Sequence, residues 1–260
     1  MQELLKIACL QVDIQWENPV ENLKYYAESI EKLISEVHLV ILPEMFSTGF
    51  SIQPENCAET MDGLSVSWMK EIALKRNLAV MGSLVIIENN NYYNRLVFVN
   101  LRGELEYYDK RHLFTLAGED QVYTSGNEKI IIEYLGWKIR PLICYDLRFP
   151  VWSRNNDDYD LLVYIANWPK PRIIAWDTLL RARAIENLSY VIGVNRVGSD
   201  ANNLEYIGHT QIINPLGEVI NSSIERQICI VETSINKTTL LEIREKFQFS
   251  NDKDSFSFDK

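Results

Sequence analysis

The chain has 260 residues, 47% of them hydrophobic, and a formal net charge of −10. That length and apolar content suffice for one large α/β domain, read here as residues 1–260 with a C-terminal tail from about 245. An acidic balance without any Lys/Arg cluster argues against nucleic acid and membrane partners, and no apolar run reaches the ~20 residues of a spanning helix.

The N-terminal MQELLKIACLQVD lacks the charged-then-apolar layout of a signal peptide. Cys9, Cys57, Cys144 and Cys229 are far apart with no CxxC pair, and His38, His112 and His209 are equally scattered. This pattern predicts neither a disulfide framework nor a metal site and suits a reducing cytoplasm.

The first strand is predicted over residues 6–12. Asn18-Pro19 pairs a capping residue with a proline in the first helical turn. Leu23, Tyr26, Ala27, Ile30, Leu33, Ile34 and Val37 follow at the 3.6-residue period of a helix with one face on a sheet. Residues 38–42 (HLVIL) read as a strand buried on both faces, ending at Pro43-Glu44. A second helix is predicted over 63–77, capped by Ser65, with Val66, Met69, Ile72 and Ala73 inward. Strands are predicted over 78–87, 96–101 and 105–108, with turns at Asn89-Asn90-Asn91 and Arg102-Gly103. Residues 110–126 read as irregular, 129–134 as a strand, and Gly136-Trp137 as a turn.

Residues 138–150 (KIRPLICYDLRFP) open as a short buried strand and turn polar after Cys144. A short helix is predicted over 150–154, a buried strand over 161–166 and a helix over 174–188. The strand 190–195, a turn at 200–203, the strand 210–214, a turn at Pro215-Leu216-Gly217 and a strand 218–220 complete the series. The two halves are alike: HLVILPE answers to DLLVYIAN, RNLAVMGSLV to LSYVIGVNRV, and RLVFVNLRGELEYY to HTQIINPLGEVINS. Such a repeat predicts two sheets packed face to face with helices outside, a four-layer α-β-β-α sandwich with internal two-fold repeat. The tail after Arg244 carries four phenylalanines among its charges and is expected to cover a subunit interface or to be a mobile end.

Cys144 sits where a strand gives way to a turn, a placement that lifts a side chain into a cleft at the carboxyl end of a sheet. It reads as a nucleophile or as a buried structural thiol. Glu44, at the end of a wholly apolar strand, reads as a general base or as a surface carboxylate. Lys110 and Glu119 each read as site residues, the lysine as an oxyanion donor, or as solvated surface charges. His112 is the alternative partner for Cys144 in a Cys-His thiol hydrolase or acyltransferase.

Together, PEMF around Glu44, YDKRHLF around Lys110 and ICYDLRFP around Cys144 resemble the nitrilase superfamily of carbon–nitrogen hydrolases. Asn167–Pro169 (NWP) and Arg181–Asn187 (RARAIEN) extend the resemblance, which runs from about Lys6 to Phe247. It is strongest to the bacterial omega-amidase branch, where CYDLRFP, NWP and INPLGE-like segments occur together. The resemblance implies the α-β-β-α sandwich, Cys144 as nucleophile, Glu44 as general base and Lys110 as oxyanion lysine. It places the family's second glutamate at Glu119, seven residues before Gly126 in a TSG segment. It also implies hydrolysis of the terminal amide of a small-molecule substrate such as 2-oxoglutaramate or 2-oxosuccinamate through a thioester, with no cofactor or metal, in a homodimer. Arg148 is expected to pair with the substrate carboxylate, or with Asp146 structurally. Phe46, Phe114, Tyr145 and Trp168 are expected to wall the pocket. A carbamoyl amidase, an aliphatic amidase, a nitrilase and a non-enzymatic binding protein remain alternative readings.

Overall fold

In the computed structural model, which describes residues 2–33 and 36–258, the long apolar runs become strands. The first half of the chain forms β1 (Leu4–Gln11), α1 (Pro19–Glu31), β2 (Leu39–Ile41), α2 (Leu64–Arg76), β3 (Ala79–Glu88), β4 (Asn91–Val99) and β5 (Leu105–Asp109). A short helix α3 (Glu119–Val122) leads to β6 (Ile132–Tyr134), β7 (Trp137–Ile143), α4 (Pro150–Ser153), β8 (Leu161–Ala166), α5 (Ile173–Asn187) and β9 (Tyr190–Asn195). The rest is β10 (Val197–Ser199), β11 (Glu205–Ile207), β12 (Gln211–Ile213), β13 (Val219–Ser222), β14 (Cys229–Asn236) and α6 (Lys237–Phe247).

Among the described residues the strands form two six-stranded sheets and a β10–β11 ribbon. The orders are β14-β1-β2-β3-β4-β5 and β13-β12-β9-β8-β7-β6. Each has a parallel triplet, β1-β2-β3 or β7-β8-β9, extended by two antiparallel strands. An antiparallel strand closes the other edge of each triplet, β14 beside β1 and β6 beside β7. The internal repeat in the sequence is therefore a repeat of topology, with β2 answering to β8, β3 to β9, and β4–β5 to β12–β13.

Alternation along the strands builds the layers. Ile7, Cys9, Leu39, Ile41, Ala79 and Met81 of the first sheet share a core with Ile139, Ile143, Leu161 and Val163 of the second. Their neighbours Ala8, Leu10, Val40 and Val80 face the other way, onto Leu23, Tyr26 and Ile30 of α1 and Val66, Met69 and Ala73 of α2. On the second sheet α5 lies against β9 so closely that a Cβ at Gly193 would sit 2.4 Å from Leu180 Cδ1 and 2.7 Å from Trp176 Cζ2. The result is the four-layer α-β-β-α sandwich. No helix among the described residues is long and apolar enough to cross a membrane.

Several boundaries differ from expectation. Helix α1 ends at Glu31, short of Val37, because the His38 N–H already donates to Lys6 O at 2.8 Å and the chain must extend to start β2. Leu33 and Val37 are buried in that connection, and Ile34 lies outside the described residues. Ser65 does not cap α2: Gly63 holds the cap position, and Glu59 accepts from the Ser65 N–H at 2.9 Å. The β10–β11 ribbon, β14 and α6 are absent from the sequence reading. In α6 only Leu240 is fully buried, so its apolar stripe is too thin to register. Beyond α6 the tail folds back on this chain, with Phe258 against Trp152 at 5.1 Å between ring centroids.

Gly193→Val is expected to destabilise the fold by ~1–3 kcal/mol through overpacking between β9 and α5. Urea unfolding reads this directly, and an unchanged midpoint would show that α5 is not seated tightly on that strand.

Candidate active site

The chain leaves β2, β5, β7 and β8 at one rim of the sandwich, and each exit carries a polar residue: Glu44, Lys110, Cys144 and Asn167. Cys144 follows the last residue of β7 and has φ +43°, a left-handed conformation rarely adopted by a side-chain-bearing residue. A 3-10 turn, Cys144–Arg148, starts there. Asp146 pins this turn. Its Oδ2 accepts from the Ile143 N–H at 3.0 Å and from the Tyr108 hydroxyl at 2.8 Å. Its Oδ1 accepts from the His112 N–H at 3.0 Å and pairs with His112 Nδ1 at 2.8 Å. The buried Asp146 thus ties the Cys144 turn to the segment that carries Lys110.

Behind Cys144 lies a buried charge cluster. Lys110 Nζ donates to Glu44 Oε1 at 2.9 Å and to Glu119 Oε1 and Oε2 at 3.0 and 2.9 Å. Asn94 Nδ2 donates to Glu44 Oε1 at 2.8 Å and to Glu119 Oε1 at 3.1 Å. The Phe114 N–H donates to Glu119 Oε2 at 2.6 Å, and the Asn167 N–H to Glu44 Oε2 at 2.8 Å. Asn167 Nδ2 also holds the Glu44 carbonyl at 2.7 Å. All three charged side chains are at most 1% exposed. Gly126 packs behind Lys110, where a Cβ would fall 2.2 Å from Asp109 O, so the TSG segment requires its glycine.

The electrostatics follow from burial and these neighbours. Burial pushes the Cys144 thiol well above its ordinary range; Glu44 adds to the rise, and Lys110 opposes it. Burial would lower the Lys110 ammonium, but Glu119 and Glu44 outweigh it and hold the group above its usual value. Burial raises the Glu119 carboxyl, against the pull of Lys110. Even so, its two oxygens accept from Lys110, Asn94 and Phe114, an arrangement that only the carboxylate satisfies in full.

A cleft of about 320 Å³ opens onto Cys144, Glu44 and Lys110. Phe114, Tyr145 and Trp168 line it, as expected from the sequence. Phe46 does not: it is buried among Tyr26 and Trp68 on the helix side of the first sheet, and Phe50 takes the wall position instead. The positive φ of Met45, 44°, turns the chain there, so the residue two after Glu44 points away from the cleft. Arg148 lines the cleft with its guanidinium 5.0 Å from the Trp168 ring centroid and makes no ion pair with Asp146, whose oxygens are already taken. His112 stacks on Phe149 at 3.7 Å and is absent from the cleft lining, which disfavours a Cys-His pair. Asn94, the Asp146 tether and Arg172, another lining residue, were missed in the sequence. A polar Asn94 inside the apolar strand β4 was the one available signal.

The chain belongs to the carbon-nitrogen hydrolase family, whose model matches residues 6–242, and it is a hydrolase of carbon–nitrogen bonds. Among its relatives, the omega-amidase YafV of Escherichia coli (strain K12) is 42% identical over 252 residues, 97% of this chain and 98% of that protein. The 2-oxoglutaramate amidase of Bacillus subtilis (strain 168) is 36% identical over 251 residues, 95% of this chain and 96% of that one. The crystal structure of XC1258 from Xanthomonas campestris, a CN-hydrolase superfamily protein with an arsenic adduct in its active site, matches at a TM-score of 0.96. It is 42% identical, with 100% of both chains covered.

Because burial and Glu44 both hold the thiol protonated, modification of Cys144 by methyl methanethiosulfonate should still accelerate above about pH 9. Glu44→Gln removes the nearby negative charge and should move that rise to lower pH. Peptide-resolved mass spectrometry would measure both, and a rate already level below pH 7 would contradict this reading.

Proposed function

We propose that the protein is an omega-amidase, hydrolysing 2-oxoglutaramate or 2-oxosuccinamate to the 2-oxo acid and ammonia through a Cys144 thioester. The observation that carries this reading is the left-handed Cys144 at the cleft floor, with Glu44 and Lys110 buried together behind it.

Cys144 attacks the amide carbon as its proton passes to Glu44. Glu44 Oε1 already accepts from Lys110 and Asn94, whereas Oε2 has only the Asn167 N–H and is the oxygen with room for that proton. In the free site the three ammonium hydrogens of Lys110 all face carboxylate oxygens. Once Glu44 is neutral it is the weaker acceptor, and the hydrogen it held turns to the developing oxyanion. Glu119 keeps Lys110 charged throughout. The Tyr145 N–H, in the first turn of the 3-10 segment and without an intrahelical acceptor, is the second oxyanion donor. Glu44 then gives its proton to the departing ammonia, leaving the thioester. The same carboxylate takes a proton from water as the water attacks, and returns it to the thiolate when the acid leaves. Arg148, without an ion-pair partner among the described residues, holds the substrate carboxylate at the cleft mouth. Scattered, unbridged cysteines suit a cytoplasmic setting for this chemistry.

Purified protein should release ammonia from 2-oxoglutaramate, and Cys144→Ala should release none; equal release by both would remove Cys144 from the mechanism. No release by the wild type would exclude the omega-amidase reading and leave carbamoyl, aliphatic amide and nitrile substrates to be assayed. We further propose a homodimer. Exposed apolar side chains on α5, Ile174 at 80% and Ile185 at 52%, support it, and sedimentation of a stable monomer would contradict it.

A further inference from the structure

Arg148 is one of two guanidinium groups on the cleft walls. Arg172 is the other, 4.9 Å from the Phe114 ring centroid, as Arg148 is 5.0 Å from that of Trp168. Neither has an ion-pair partner among the described residues. The acidic groups nearby are already occupied. Glu44 and Glu119 face Lys110. Asp200 accepts from the Asn202 N–H at 2.8 Å, the Leu204 N–H at 3.0 Å and the Tyr206 hydroxyl at 2.9 Å. Two uncompensated arginines therefore meet in one cleft of a chain with net charge −10. The backbone of Arg172 is also fixed before any ligand arrives. Its carbonyl accepts from Trp168 Nε1 at 2.8 Å, its N–H donates to Pro169 O at 3.0 Å, and the adjacent Lys170 pairs with Glu205 of β11 at 2.5 Å.

We infer that Arg172 is a specificity-determining residue that donates to the 2-oxo oxygen of the substrate while Arg148 holds the carboxylate. This rests on the omega-amidase reading and deepens it. A 2-oxo acid presents two adjacent acceptors, and two guanidinium groups match them. L-Glutamine carries an ammonium at the same carbon, which two neighbouring cations repel, so Arg172 selects the 2-oxo acid monoamide over the amino acid.

The test compares kcat/KM for 2-oxoglutaramate and for glutaric acid monoamide, which keeps the carboxylate and the amide but has a methylene in place of the 2-oxo group. Arg172→Gln should cut the preference for 2-oxoglutaramate by about ten- to a hundredfold, the range for one charged hydrogen bond, and raise the relative rate on L-glutamine. Arg172→Lys should restore part of the preference. Arg148→Gln should weaken both substrates alike and leave the ratio in place. An unchanged ratio in Arg172→Gln, whether both substrates fall equally or neither falls, overturns the inference. Wild-type turnover of 2-oxoglutaramate reports separately on the proposed function, so the two failures are distinguishable.

Discussion

The structure is arranged around one buried ammonium between two buried carboxylates. Removing three charges from water is costly, and the arrangement is stable only if nearly every lone pair finds a donor. That requirement explains why so many separate segments converge on the site. Glu44 arrives from the end of β2, Lys110 from the end of β5, Glu119 from α3, Asn94 from β4 and Asn167 from the end of β8. The Phe114 and Asn167 N–H groups complete the set from the backbone. In the proposed mechanism a single proton passes through Glu44 while Glu119 keeps the lysine paired.

The thiol is placed by a second, smaller device. Asp146 bonds the N–H just before Cys144, and through Tyr108 and His112 it also bonds the segment that leads into and out of Lys110. One buried carboxylate therefore couples the turn after β7 to the end of β5, so the left-handed backbone at Cys144 is held from both sheets. His112, which looks in the sequence like a partner for the cysteine, is spent on this tether and on its stack with Phe149.

The internal repeat gives the site its asymmetry. Glu44 and Asn167 follow equivalent strands, β2 and β8, and they bond each other across the junction of the two sheets. Two halves with the same topology thus place different chemistry at the same corner: a carboxylate that can take a proton and an amide that can only fix it in place. Beyond this buried floor, the cleft turns aromatic and cationic, with Phe114 and Trp168 each under an arginine.

Periodicity and motif order carried a large part of this. Strands buried on both faces make long apolar runs, and the matching runs of the two halves revealed the sandwich. Glu44 and Cys144 stood out because each follows an apolar strand at its carboxyl end, whereas Lys110, after the polar strand β5, stood out only through the resemblance of YDKRHLF to the family. Thin elements did not register: α6 buries one side chain fully, and β14 is an edge strand whose pairing with β1 spans most of the chain. The position of Phe46 was misjudged because a positive φ at Met45 reverses the chain within two residues, a rotation that spacing cannot reveal. The roles of Asn94, Asp146 and Arg172 also needed the tertiary structure. Each depends on which polar groups already have partners, and hydrogen bonds between residues far apart in sequence exist only once the two sheets have closed on each other.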